Sequence, residues 1–384
     1  MAFRLISEIK NYDWGVPGEL SRILGRTFSD QPEAEIWWGR HPLAQCMLDD
    51  VGKLEDFSDW LNHSDTDFPL LVKLLAAGKP LSIQVHPTAE QAREGFHREE
   101  HAGVPHDSRE RSYKDTSAKP ELLIALSQEF LGLAGFVTEE VVTQRLGRWV
   151  NAGAPDSLAT FIEQFAQNAR GSLRHIGHGN PGLTDTVGEL SQWLSSLEFG
   201  TLDELTSQEI YLMRLISEAH PGDPGILFAP LMHHVSLKRG EALFVPAGTV
   251  HAYVQGVGLE VMLPSDNVIR AGLTTKHVDV DAFLDIADFS RSRNPHLVNP
   301  TGETSRLSYR DFGADFRVLV LRSRTPDFTV HIPSVCFVEQ GEVAVRSQSV
   351  QQFTKGETFF SLPSDVISLP EGDTTIWVVS SERP

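Results

Sequence analysis

Two stretches of this chain repeat one pattern. KRGEALFVPAGTVHAYV (Lys238 to Val254) and TKGETFFSLPSDVISL (Thr354 to Leu369) each run from a basic-Gly-Glu turn into an apolar strand, a tight Pro-containing turn and a second strand. Repeated short antiparallel strands of this kind manage their exposed edges by folding into jelly-roll barrels. The repeat therefore asks for two barrels. The copies differ in chemistry: His251 follows the first turn, whereas no His follows Pro363. Only the first copy keeps a possible metal ligand there.

A change of period separates the barrel segments. VTEEVVTQRLGRWV, SLATFIEQFAQNA, TVGELSQWLSSL and SQEIYLMRLISEA place apolar residues at i, i+3, i+4 and i+7, a helical spacing. This helical block runs from Thr138 to about Glu218 and ends at HPGDPG. Before it, Asn11 to about Phe136 reads as strands and turns with short helices. Thr88 and Gln91 form a capping box that starts a helix from Ala89 to about Gly95. A polar loop is expected from His97 to Ser117, and ELLIAL (Glu121 to Leu126) reads as a buried strand. At 384 residues the chain suits two or three domains. The expected division is a first barrel from 1–136 and 220–305, a helical insertion from 137–219, and a C-terminal barrel without metal ligands from 306–384.

The net charge of −19, from 33 Lys and Arg against 52 Asp and Glu, argues against nucleic-acid and anionic-membrane partners. A few local cations can still hold a small phosphorylated ligand. Cys46 and Cys336 form no CxxC pair, which disfavours a disulfide framework or a Cys-rich zinc site. The N-terminus lacks a long apolar signal segment, and no run of about 18 apolar residues occurs. A soluble cytoplasmic protein is expected.

LSIQVHP (Leu81 to Pro87) sets the chemistry. On a strand, residues i and i+2 share a face, so Gln84 and His86 point one way while Ile83 and Val85 pack the other. Alone, the pair reads more readily as a hydrogen-bonded polar pair at a strand end. Glu121 at the head of ELLIAL and His251 at the head of HAYVQG add a carboxylate and a second imidazole. Gln84, His86, Glu121 and His251 together offer two oxygens and two nitrogens, a set that suits zinc or a related divalent ion with a position left open. Arg270 and Lys276, in SDNVIRAGLTTKHVD, can form a local phosphate site. Lys73, inside the apolar LLVKLLA run, either snorkels to the surface or faces the same lumen as the metal. His97, His101 and His106 are a rival metal cluster in a charged, Gly/Pro-broken run. No P-loop, GxGxxG, GxSxG or HExxH pattern occurs.

NYDWG (Asn11 to Gly15), AEIWWGRHP (Ala34 to Pro42), LSIQVHP, YKDTSAKPE (Tyr113 to Glu121), GEALFVPAGTVHAYV (Gly240 to Val254) and SDNVIRAGLTTK (Ser265 to Lys276) follow one another in the order and approximate spacing of a known family. Through them the chain resembles the type I phosphomannose isomerases of the cupin superfamily. The resemblance implies a mainly β fold with an α-helical insertion: two cupin-type jelly-roll barrels plus a helical domain. It implies one zinc ion per chain on Gln84, His86, Glu121 and His251, and an essential Arg270. Lys119 and Lys73 match active-site lysines, Glu260 and Asp266 match acidic residues near the metal, and Lys276 matches a terminal lysine of its motif. The implied reaction is interconversion of mannose 6-phosphate and fructose 6-phosphate through an enediol(ate). Arg270, Lys119, Glu260 and Asp266 would be catalytic, and Lys73 and Lys276 would bind substrate. A sugar phosphate is the expected partner, and a monomer the expected state. One departure stands out: the family's Asn-His before Lys-Pro-Glu is Ser117-Ala118 here. A metal-dependent cupin oxygenase and a sugar-phosphate-binding cupin without turnover are the competing readings.

Overall fold

The computed structural model describes residues 2–382 apart from 42, 199, 201 and 293. Pro42 of the AEIWWGRHP run and the outermost ends of the expected domain division thus lie outside the described residues. The chain is mainly β, with helices gathered between Glu139 and Ala219, as the periodicity predicts.

The capping box at Thr88 forms: its hydroxyl accepts from the Gln91 amide, and the Gln91 side chain accepts from the Thr88 amide. The helix it opens spans Ala89–His101. It passes through Gly95, where the sequence suggests an end. The Tyr113 ring lies against that glycine, and an added Cβ would sit 2.4 Å from it. Gly95 thus admits a ring and does not stop the helix. The first part of the expected loop from His97 is helical as a consequence.

A 12-stranded sheet carries the strands of interest. Along its main path Ala242–Val245, Glu121–Ala125, His251–Met262, Leu71–Ala77 and Glu35–Gly39 lie side by side. The 12-residue strand His251–Met262 links two sets of partners. Its first half pairs with Glu129–Val137 and Ile83–Val85, and its second half with Glu121–Ala125 and Leu71–Ala77. The change of partner falls at Gly256, whose φ of +132° favours glycine and whose added Cβ would lie 2.9 Å from the Phe130 Cα.

Alternation then sorts the side chains. Val72, Leu74, Leu122, Ile124, Leu259 and Val261 pack with Phe337, Phe360 and Trp377 of the C-terminal sheet. Leu75, Leu123, Val245 and Tyr253 form a separate cluster on the opposite face. Lys73, Glu121 and Glu260 alternate onto that second face. The helices pack outside the third group of strands: Trp149, Leu158, Leu190 and Met213 share a core with Ile83, Val85, Ala252, Val254, Ile269 and Ala271. Gln84, His251 and Arg270 are left pointing away from the helices.

A second sheet has nine strands, and it takes Phe3–Ile6 and Met47–Asp56 from the N-terminal region. Phe3 pairs with Phe360, and Arg4 with Asp49. The expected boundary at 136 falls within the paired strand Glu129–Val137, and the one at 306 falls between the paired strands Thr301–Glu303 and Arg306–Tyr309. The sequence repeat has a structural counterpart. Gly240 and Gly356 have φ of +87° and +84°, and Glu241 and Glu357 each accept a backbone N–H three residues back. Gly248 and Ser364 then take left-handed turns. At the position equivalent to His251, the C-terminal copy has Ile367, fully buried in an apolar cluster.

The helical block is tied to the sheet by a buried ionic knot. Glu209 accepts from Arg145 at 3.1 Å, Arg148 at 2.5 Å and the Trp149 indole at 3.0 Å. Arg145 also donates to the carbonyls of Pro230 and Met232. Breaking a buried pair by removing one partner costs about 3–5 kcal/mol, because the remaining charge stays buried. Glu209→Ala is therefore expected to lower unfolding stability by that amount in urea titration. A loss under about 1 kcal/mol, the value of an exposed pair, would contradict the assignment.

Candidate active site

Three buried side chains converge from different strands: His86, Glu121 and His251. Their ligand atoms all lie within 4.8 Å of one another, and this is the one such group of three among the described residues. His86 Nε2 is 3.2 Å from Glu121 Oε1, and His251 Nε2 is 3.4 Å from Glu121 Oε2. The other nitrogen of each ring faces a backbone carbonyl: His86 Nδ1 meets Asn267 O at 2.7 Å, and His251 Nδ1 meets Thr249 O at 3.0 Å. A carbonyl only accepts, so both Nδ1 atoms carry protons. Burial pushes the His86 imidazole down to about 4, against the pull of Glu121. The ring is neutral, and its Nε2 is a bare lone pair.

Both Nε2 atoms are buried and take no hydrogen bond. A lone pair facing a carboxylate with no proton between them is repulsive. A cation at the centre removes the repulsion and satisfies all three groups at once, and carbonyl-anchored imidazoles are the usual form of metal-binding histidine. The residues therefore fit a divalent metal. Gln84 pairs in register with His251 on one side and Arg270 on the other. Directly opposed residues in antiparallel strands have Cβ atoms about 5 Å apart, so Gln84 stands between the imidazole and the guanidinium on one face.

Burial resists the Glu121 charge, and the neighbouring Lys119 ammonium favours it. Lys119 Nζ is 3.6 Å from Glu121 Oε1. Lys73 is buried rather than snorkelling. Its Nζ lies 3.6 Å from Glu35 and 3.5 Å from Glu260, and 4.4 Å from the Trp37 ring centre. Burial opposes its charge, but Glu35, Glu260 and Glu121 raise it above the ordinary lysine value. Burial and the Glu121 charge push Glu260 up to about 7, with Lys73 opposing. The Tyr253 hydroxyl donates to Glu121 at 3.3 Å and interacts with Glu260 as well, bridging the two carboxyls.

Arg270 is half-buried, and desolvation lowers its pKa. Among the described residues its guanidinium makes one hydrogen bond, a 3.5 Å contact to the Val268 carbonyl, and no carboxylate pairs with it. Lys276 lies on the surface, where partial burial and the nearby Arg270 charge lower its pKa. Asp266 sits at the rim. A hydrogen bond from His41 holds its carboxyl below the usual range.

The segments leading to Lys119 and to the Arg270 strand are locked together by a polar knot that the sequence reading misses. Asp115 accepts from Ser265 Oγ, the Asp266 amide and the Asn267 side chain. Asn267 Oδ1 accepts the amides of Lys114 and Asp115, and its carbonyl receives His86. His41, Glu35, Trp37 and Tyr253 are also missed. Strand alternation supplied a signal for Tyr253, two residues after His251. The rival histidines do not converge: His97, His101 and His106 lie outside the buried cluster, with His101 bonded to the His97 carbonyl and His106 to the Lys114 carbonyl.

The His86 shift has a sign that can be checked on metal-free protein. The folded value, about 4, lies below the ordinary 6.5. Between these values the unfolded chain binds a proton that the folded site refuses, so stability falls as pH drops through that window. The expected slope is up to about 1.4 kcal/mol per pH unit, read from urea midpoints of the chelated protein. His86→Gln should flatten it, and an unchanged slope would contradict the assignment.

The phosphomannose isomerase type I catalytic-domain family matches residues 2–138. Mannose-6-phosphate isomerase of Escherichia coli (strain K12) is 32% identical over 375 residues, covering 93% of this chain and 94% of its own length. The Homo sapiens protein of that name is 28% identical over 408 residues, covering 96% and 90%. A crystal structure of mannose 6-phosphate isomerase from Salmonella typhimurium, bound to substrate and zinc, superposes with a TM-score of 0.85 at 29% identity, over 100% of both chains.

Proposed function

We propose that this chain, which belongs to the type I phosphomannose isomerases, interconverts mannose 6-phosphate and fructose 6-phosphate with zinc as its cofactor. One observation carries the reading: two buried imidazole lone pairs converge with the Glu121 carboxylate beside the desolvated, unpaired Arg270. His86, Glu121 and His251 would hold the metal, with Gln84 as the fourth ligand. Zinc, when bound, supplies Lewis acidity and a template for the sugar oxygens.

The reaction opens the sugar ring and moves one proton between C1 and C2 through an enediol(ate). Arg270 gives a fixed cation for the anionic part of the substrate, either the developing oxyanion or the phosphate, and Lys276 adds charge at the surface beside it. Lys73 lies among Glu35, Trp37 and Glu260 and offsets the carboxylate charge on that wall of the site, where it would bind substrate. Lys119 sits against the ligand Glu121. Lys119, Glu260 and Asp266 are the three groups considered for the carbon proton, and Glu260 is the fully buried carboxyl among them, within reach of Lys73 and Tyr253. Ala118 leaves the metal ligands intact and removes an imidazole beside Lys119. The division into a first barrel (1–136 and 220–305), a helical insertion and a C-terminal barrel stays part of this reading. In it, Phe3–Ile6 and Met47–Asp56 are lent to the C-terminal sheet.

The helices observed include none long and apolar enough to cross a membrane. The acidic balance gives a nucleic acid no basic surface, in keeping with a small-molecule enzyme. The direct test incubates the purified chain with each sugar phosphate in turn and follows the anomeric and ketose signals by NMR. Both directions should reach one equilibrium mixture. No conversion either way would overturn the reading.

A further inference from the structure

His41 is the third buried imidazole near the metal-ligand cluster, and its two nitrogens are committed in opposite senses. The Leu43 amide donates to Nδ1 at 3.1 Å, so Nδ1 is an acceptor and carries no proton. The proton is on Nε2, which lies 3.3 Å from Asp266 Oδ1. The ring is held edge-on against Trp37, with centroids 5.1 Å apart, and Trp37 in turn packs on Lys73 and donates to Glu35. The imidazole is nearly inaccessible, with 4% of its side chain exposed, whereas the Asp266 side chain is 49% exposed. The Asp266 amide is fixed separately, by Asp115 Oδ2 at 2.8 Å. The backbone of Asp266 is therefore fixed, and its Oδ1 lies against the packed His41 ring.

We propose that His41 is a positioning residue: it fixes Asp266 Oδ1 so that Oδ2 is presented to a hydroxyl of the bound sugar phosphate. An exposed aspartate otherwise samples several rotamers, and one charge-assisted hydrogen bond from a packed ring selects one of them. His41 never touches the substrate in this account. It acts through Asp266, and the inference rests on the isomerase reading given above.

A double-mutant cycle tests it. His41→Ala and Asp266→Ala are each expected to lower kcat/KM for mannose 6-phosphate by about 10–100-fold, the range for losing a supporting partner of a site residue. In the Asp266→Ala background, His41→Ala should cost less than about a further twofold, because its target is gone. His41→Gln, whose amide can reach Oδ1, should recover part of the loss, and it serves as the single variant if His41→Ala does not fold. Zinc content should stay at the wild-type level in all of them. Equal losses from His41→Ala in both backgrounds would mark a merely structural role and overturn the proposal. Wild-type turnover in Asp266→Ala would overturn it too. A wild-type chain without isomerase activity would instead strike the functional reading itself, so the two failures are distinguishable.

Discussion

His251→Ala is expected to purify with almost no zinc and to lose isomerase turnover by about 10³-fold or more. The magnitude follows from the several kcal/mol a catalytic metal contributes to charge stabilisation, at about 1.4 kcal/mol per tenfold in rate. The change removes one of the two lone pairs that face Glu121 and leaves His86 and Glu121 without a complete shell. His251 also starts the strand that changes partners at Gly256, so the alanine variant must be shown to fold. Its backbone pairs with Gln84 and Ala134 whatever the side chain, and circular dichroism should be unchanged. A folded variant that retains both zinc and turnover would remove His251 from the ligand set.

Arg270→Ala carries the second large effect, about 10²–10³-fold in kcat/KM, with zinc content unchanged. Removing one preorganised donor aimed at developing charge costs that much in comparable sites. Arg270 bears a desolvation penalty without a carboxylate to offset it, which is the signature of a cation reserved for a ligand. Its distribution between the parameters identifies the contact. A loss confined to KM places the guanidinium on the phosphate, because that group binds equally in ground and transition states. A loss in kcat places it on the sugar oxyanion. Arg270→Lys should restore only a part, since an ammonium cannot reproduce the planar fork. Wild-type kinetics in Arg270→Ala would refute either role.

The sequence made local regularities visible and long-range ones invisible. Alternation put Gln84 and His86 on one face, and helical period marked out the block between Glu139 and Ala219. The capping box at Thr88 was legible because both partners lie within four residues. Its helix was cut short because Gly95 looks like a breaker until Tyr113, 18 residues on, is seen to occupy the missing side chain's space. The pairing of Phe3–Ile6 with Thr358–Ser361 had no local signal at all. Neither did the Asp115–Ser265–Asn267 knot, whose members are about 150 residues apart and are joined through loop geometry. The ligand set was readable as residue types on strand ends. The tautomers that make it a metal site depend on the carbonyls of Asn267 and Thr249, which only the fold supplies.

The central claim is that His86, Glu121 and His251 hold a zinc ion on which turnover depends. The most direct measurement follows mannose 6-phosphate turnover and metal content together, before chelation, after exhaustive chelation and after zinc is added back. The account predicts about one zinc per chain at the start, loss of activity in step with the metal, and recovery of both at one equivalent. Full turnover by protein that contains no metal would contradict it.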